Sequence, residues 1–374
     1  MKHLMVDLFA GCGGLSTGLK QAGFTPWFVN EIEPNFCNTY KKNHPEVPDS
    51  HFYVGDIKEL NQHIEEYRHL LNNISLVCGG PPCQGFSMAN RQRIIDDPRN
   101  NLYKAYLNFL SEVRPLFFVM ENVRGMRNKI DEIKQDFAQY LGREYQYDYA
   151  ILNAQDYGVP QNRERFIMIG NRIGIDSKQI FDEIYNLKRP AFVLKDALEG
   201  LPILHPKAEK GKSNIEHPLS GFTECEYKYT INAFYQFING DRTINKLYNH
   251  KNRYNNDRDI EIFKRLPQGG NSLHESIADI MPYARRNNIF KDKYYKLRGS
   301  QVCRTITSHM KYDCNMYIHP WEARGLSPRE AARIQTFPDD YIFTGPQNSW
   351  YAQIGNAVPV KLAYAIGCAI MKFL

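Results

Sequence analysis

Over its first 170 residues the chain keeps switching between two hydrophobic periods, and that switching restricts its fold more than any other feature. Apolar runs at 4–9, 27–30, 52–54, 74–78, 116–120, 147–152 and 166–169 have the length and residue types of strands. Helical spacing fills the gaps at 15–22, 35–42 and 102–113. Strands separated by helices pair in parallel, with the helices covering both faces of the sheet. The expected fold class is therefore α/β, a doubly wound, mostly parallel sheet of Rossmann-like design.

Residues 172–320 lose this pattern and turn rich in Asn, Tyr and Lys, which predicts a smaller, loop-rich domain. Regular structure returns at Ser327, where Pro328 suits the first helical position and Glu330 stands at capping-box spacing. The apolar segment 358–374 reads as a helix packed on the sheet. The expected organisation is one domain from 1–175 with 346–374, and a second at 176–345. The net charge of +6 is unevenly placed: 241–311 holds 15 Lys and Arg against 7 Asp and Glu, leaving 32 against 34 elsewhere. Basic residues interleaved with Tyr248, Tyr254, Tyr283, Tyr294 and Tyr295 suit contact with a phosphate backbone. Eight scattered cysteines without a Cys-x-x-Cys pair suggest neither disulfides nor a zinc site. No apolar run approaches the roughly 20 residues of a membrane span and the amino terminus enters a strand directly, so a cytoplasmic location is expected.

Four places carry chemistry. After the first strand, Phe9, Gly11, Cys12, Gly13 and Gly14 form a glycine-rich turn of the kind that lets a ligand approach the backbone. Ser16 occupies the third glycine position of the dinucleotide fingerprint, a departure from that pattern. Glu31 and Asp56, at the ends of the next two strands, suit ribose hydroxyls and an adenine amino group. These residues suggest a nucleoside-bearing cofactor without choosing one. The run Gly79-Gly80-Pro81-Pro82-Cys83 then stops the fourth strand on a rigid turn and presents a cysteine, a candidate nucleophile. Glu121 follows another apolar strand, where a partly desolvated carboxyl can serve as a donor or pair with Arg124. Arg163 and Arg165, two residues apart before a strand, are expected on one side, suited to holding an anion.

Together these motifs resemble the DNA (cytosine-5) methyltransferases of bacterial restriction–modification or orphan type. The 9–14 loop looks like their cofactor loop, and Pro82-Cys83-Gln84 with Phe86-Ser87 like their nucleophile motif. Glu121-Asn122-Val123 resembles their acid motif and 161–165 their arginine motif. Segments 329–335 and 353–358 resemble the two motifs that follow their variable region. The resemblance implies S-adenosyl-L-methionine as cofactor, S-adenosyl-L-homocysteine as product, no metal, and a cytosine flipped out of double-stranded DNA. Cys83 would add to carbon 6, Glu121 would donate to ring nitrogen 3, and Arg163 and Arg165 would complete the catalytic set. Phe9, Glu31, Ile32, Asp56 and Ile57 would hold the nucleoside, and Pro82, Leu102 and Asn356 the methionine end. Residues 84–99 would close on DNA and about 176–320 would recognise the target. A monomer associated with the nucleoid is the implied setting, with a cognate restriction endonuclease sharing its site in the restriction–modification case and none in the orphan case. A nicotinamide oxidoreductase fits the loop and Glu31 but leaves the Pro-Pro-Cys turn unexplained. A tRNA-acting relative lacks support from the variable region.

Overall fold

The computed structural model describes residues 2–82, 102–206, 216–282 and 293–374; the expected nucleophile Cys83, the 84–99 loop and Tyr283 lie outside the described residues. The chain divides into two compact units. Unit 1 comprises Met1–Gly158, Arg163–Pro190 and Ala357–Leu374, and unit 2 comprises Val159–Asn162 and Ala191–Asn356.

Unit 1 runs β1 (His3–Leu8), α1 (Gly14–Gln21), β2 (Phe24–Glu31), α2 (Pro34–Asn43), β3 (Phe52–Val54), α3 (Ile57–Gln62), α4 (Ile64–Tyr67), β4 (Leu76–Gly79), α5 (Leu102–Val113), β5 (Phe117–Val123), α6 (Ile130–Leu141), β6 (Gln146–Asn153), β7 (Glu164–Asn171) and α7 (Ser177–Asn186). Among the described residues its strands form one sheet in the order β3-β2-β1-β4-β5-β7-β6. The pairs β1–β2, β1–β4, β2–β3 and β4–β5 are parallel, as the alternation predicts. The exception is β7, which lies antiparallel between β5 and β6. A short connection from β6 to β7 permits this hairpin-like pairing, whereas a parallel neighbour needs a long crossover. Strand order reverses between β1 and β4, which makes their carboxyl ends the switch point of the sheet.

The core under this sheet joins Val6, Leu8, Phe28, Val77, Phe118 and Met168 to α5 and α6 through Tyr106, Phe109, Ile133 and Phe137. On the opposite end of the chain, α13 (Val360–Met371) returns to unit 1 and packs on α1 and α7. Gly18 makes this approach possible: a Cβ there would lie 2.3 Å from the Val360 carbonyl oxygen and 2.5 Å from the Ala363 Cβ.

Unit 2 contains more regular structure than its sequence suggests: α8 (Leu194–Leu198), β8 (Gly221–Glu226), α9 (Ala233–Asn239), β9 (Lys246–Lys251), α10 (Asp257–Arg265), α11 (Pro328–Ile334) and α12 (Gln347–Asn356), with β8 and β9 antiparallel. The units change over after Pro190 and after Asn356, later than the expected 175 and 345. The reason is packing: α7 buries Ile180, Phe181 and Ile184 against the sheet side, and α12 packs with α11. Buried arginines replace much of the apolar periodicity. Arg329 donates to the carbonyls of Tyr248, Pro338 and Tyr341, and Arg333 grips Asp339 at 2.7 and 2.9 Å. Arg324 meets both carboxylate oxygens of Glu330 at 2.8 and 2.6 Å. The capping box at Ser327 and Glu330 forms with both of its hydrogen bonds.

Gln347–Met371 has the length and apolarity of a membrane span, contrary to the expectation of no such run. Its residues are mostly buried, and Pro359 separates α12 from α13 within it.

Candidate active site

The 9–14 loop leaves β1 at the switch point and is built on left-handed backbone at Phe9 (φ 54°), Gly11 (φ 58°) and Gly13 (φ 86°). Phe9 pays a steric cost that glycine would not, a type of strain that gathers at ligand sites. Glu31, at the end of β2, locks the loop: its Oε2 accepts from the Gly11 N–H at 2.6 Å and its Oε1 from the Glu33 N–H at 2.8 Å. Burial pushes its carboxyl upward, while these backbone donors oppose the shift. Each oxygen keeps a further lone pair for a ligand hydroxyl. A Cβ at Gly11 would meet nothing within 4 Å, so open space adjoins the loop there. Ile32 is 59% exposed, an apolar surface beside a buried carboxylate. Ile57 is different: it is a core residue packed under the sheet. Asp56 caps α3, accepting from the Lys58 N–H at 2.9 Å. Asn30 is a residue the sequence did not single out. Its side chain donates to the carbonyls of Tyr53 at 3.1 Å and Gly55 at 2.9 Å, tying the end of β3 to β2.

Across the switch point, Gly79, Gly80, Pro81 and Pro82 carry the chain out of β4 towards Cys83. Glu121 lies within β5, one residue past the Gly79–Met120 pair, rather than at the strand's end. Its carboxylate lies over Gly80, where a Cβ would come 2.9 Å from Oε2. The next side chain, Asn122, donates to the Pro81 carbonyl at 2.9 Å and holds the turn against β5. The partner of Glu121 is Arg165, whose Nε lies 2.7 Å from Oε1; both side chains are nearly buried. Strand register explains the choice: Arg165 faces Val123 across β5–β7 and reaches the diagonal neighbour on the same face. Arg124 instead pairs with Glu164 at 2.7 Å, which removes the alternative pairing with Glu121. Burial pulls Arg165 below its usual value, opposed by the Glu121 charge.

The structure does not join Arg163 to this pair. Arg163 is buried and donates from Nη2 to the Ala357 carbonyl at 2.9 Å, at the entry to α13. Gln161 and Asn162 belong to unit 2, where Gln161 accepts from the Ile306 N–H at 2.7 Å. Leu102 begins α5 half-buried, Pro82 is exposed, and Asn356 is the exposed last residue of α12. Burial pushes the thiols of Cys12 and Cys78 upward, so both stay protonated and act as packing groups.

In unit 2 the basic segment proves partly internal. Lys296 is buried with its ammonium on the Phe263 carbonyl at 2.9 Å, and the buried Tyr294 donates to Asp259. The segment's exposed residues include Arg258, Lys264, Arg265 and Arg298, and a partly exposed strip lies at 307–312. The Arg253 guanidinium fixes it from beneath through the Met310 carbonyl at 2.6 Å and the Lys311 carbonyl at 3.3 Å. Above this anchor Tyr312 is 66% exposed, with the Lys311 ammonium 4.9 Å from its ring centroid and His309 alongside. His319, Glu322 and Glu330 bring three ligand-type atoms within 4.8 Å of one another. Both carboxylates serve Arg324, and His319 Nδ1 accepts from the N–H groups of Trp321 and Glu322. That arrangement is a neutralised arginine.

The fold is that of the class I methyltransferases. Its solved neighbours include an E. coli prophage-encoded protein described as a DNA modification methyltransferase, with TM-score 0.75 and 27% identity over 99% of this chain and 98% of that one. The fold is shared too by S. pombe Dnmt2, at TM-score 0.57 and 14% identity over 100% and 99% of the two chains. The family model of the C-5 cytosine-specific DNA methylases matches residues 4–372. The chain belongs to that family and is a DNA methyltransferase. Curated relatives include the type II methyltransferases M.AgeI of Thalassovita gelatinovora and M1.HphI of Haemophilus parahaemolyticus, each 31% identical. The first match covers 96% of this chain and 97% of the relative, the second 100% and 87%.

Proposed function

We propose that the protein methylates carbon 5 of one cytosine within a short double-stranded DNA sequence, as the modification enzyme of a type II restriction–modification system. A restriction endonuclease reading the same sequence is the expected companion. The observation that carries the reading is the Glu121–Arg165 pair seated over Gly80, on the turn that leads to Cys83. The residues around the 9–14 loop suit S-adenosylmethionine: an open glycine cradle, the buried Glu31 carboxylate, Asp56 and the exposed Ile32. When bound, that cofactor supplies an electrophilic methyl group on a sulfonium.

Cytosine carbon 5 is a weak nucleophile while the ring is aromatic. The Cys83 thiolate forms a bond to carbon 6, which breaks the aromatic system and moves an electron pair towards carbon 5. Glu121, once it has taken up a proton, stabilises the adduct by donating that proton to ring nitrogen 3, and Arg165 fixes the direction of the carboxyl. After carbon 5 has been alkylated, loss of its proton to a base and departure of the Cys83 thiolate restore the ring. Both ring faces must be reached, so the base leaves the helix. Arg163 acts by position, holding the start of α13. Unit 2 supplies recognition, and the Lys311–Tyr312 strip is a DNA contact by its charge and exposed ring.

The test is expression in a bacterial host without cytosine methylation, followed by bisulfite sequencing of its DNA. Protected cytosines in one sequence context, absent with Cys83→Ser, are expected. Protection that persists with Cys83→Ser overturns the nucleophile, and no protection with the soluble wild type overturns the DNA reading.

A further inference from the structure

Ser16 breaks the glycine fingerprint, and the structure gives the departure a physical content. The Ser16 side chain is fully buried and donates to Asp7 Oδ2 at 2.6 Å, while it accepts from the Tyr40 hydroxyl at 2.7 Å. Asp7 is on β1, two residues before Phe9; Ser16 is in the first turn of α1; Tyr40 is on α2. One hydroxyl thus ties together the strand and the helix that flank the loop, and joins both to a third element. Beside it, Thr17 donates to the Gly13 carbonyl at 2.7 Å. None of these side chains is exposed, so none is available to touch a ligand.

We propose that Tyr40, Ser16 and Asp7 form a positioning relay for the methyl donor, setting the angle at which α1 leaves the 9–14 loop. The inference rests on reading that loop as the S-adenosylmethionine site. The groups that face Asp7 are Ser16 of α1, Cys78 of β4, Glu31 of β2, Cys12 of the loop and Tyr106 of α5. Burial pushes the Asp7 carboxyl up to about 7, and the Glu31 charge acts in the same direction; Ser16 and Cys78 oppose both. The ionised carboxylate accepts from Ser16 and Cys78 together. A proton on Asp7 turns one acceptor into a donor and slackens the relay.

The experiment is calorimetric titration of S-adenosylmethionine into the full chain between pH 6 and 8, with steady-state kinetics alongside. Tyr40→Phe keeps the ring packing and removes only the hydroxyl; Asp7→Asn keeps the shape and removes the charge. Tyr40→Phe is expected to weaken donor binding by roughly three- to tenfold, the scale of one hydrogen bond. The DNA KM and kcat should stay within about twofold, because the relay acts only through the loop. Wild-type affinity should rise with pH through neutrality, and Asp7→Asn should flatten that profile at the weaker level. Wild-type affinity and an unchanged profile in both variants overturn the relay. A wild type that does not bind S-adenosylmethionine overturns the reading of the loop instead.

Discussion

Acid should destabilise unit 2 as the pH falls below 6.5, and two buried histidines contribute much of the effect. His250 donates from Nε2 to the Pro202 carbonyl at 2.8 Å, and its Nδ1 meets Ser327 Oγ at 2.9 Å. His319 is fixed by two backbone N–H groups against Arg324 and Glu330. Burial lowers His250 to about 4 and His319 to about 3, from an ordinary value of 6.5. A base whose folded value is depressed stabilises the fold fully above its unfolded value. That contribution is lost as pH falls from 6.5 towards the folded value, because only the unfolded chain gains protons. At pH 5 each histidine therefore costs about 2 kcal/mol, and the pair about 4 kcal/mol, against a typical total of 5–15 kcal/mol. Glu330 is held well below 4.5, chiefly by Arg324 against the cost of burial, so its stabilising contribution is retained until the pH is lower still. The measurement is urea unfolding at pH 7.5, 6.5, 5.5 and 5, followed by tryptophan fluorescence. Trp321 and Trp350 report unit 2 and Trp27 reports unit 1. His250→Gln should remove about half of the pH slope of the unit 2 transition, whatever it does to the absolute stability. An unaltered slope in that variant, or a wild type indifferent to pH above 5, refutes the reasoning.

Two further outcomes test the sheet unit. Gly18→Ala should lower stability by about 1–2 kcal/mol, because overpacking against the backbone of α13 exceeds the roughly 1 kcal/mol gained in helix propensity; a raised Tm would refute the close approach. Arg165→Lys should reduce kcat by roughly tenfold or more while leaving S-adenosylmethionine affinity unchanged, since an ammonium cannot reproduce the directed guanidinium contact to Glu121; wild-type turnover would remove Arg165 from the site.

The sheet was legible because its strands advertise themselves: 102–113 was readable as a helix to the residue, and 52–54 as a strand. What sequence could not carry was direction, since the run that becomes β7 looks alike in either orientation. For the same reason the partner of Glu121 was hidden. Arg124 is closer along the chain, but cross-strand register brings Arg165 to the carboxylate. Unit 2 was opaque on different grounds. Its interior uses Arg324, Arg329 and Arg333, whose charge imitates a surface, and their partners are carboxylates together with carbonyl groups that every residue possesses. Asn122 and Asn30 act through a single amide each, and nothing in their neighbours' composition marks them.

The return of α13 to α1 has a consequence for the nascent chain. Gln21 and Lys361 share a hydrogen bond across a separation of 340 residues, with the whole of unit 2 written between them. As the ribosome proceeds, the sheet and the 9–14 loop appear first, but the face of α1 around Gly18 stays uncovered until α13 has been made. Closing so long a loop adds little entropy cost per extra residue, yet it cannot happen out of order. The sheet unit is therefore completed only after the whole of unit 2 has been synthesised.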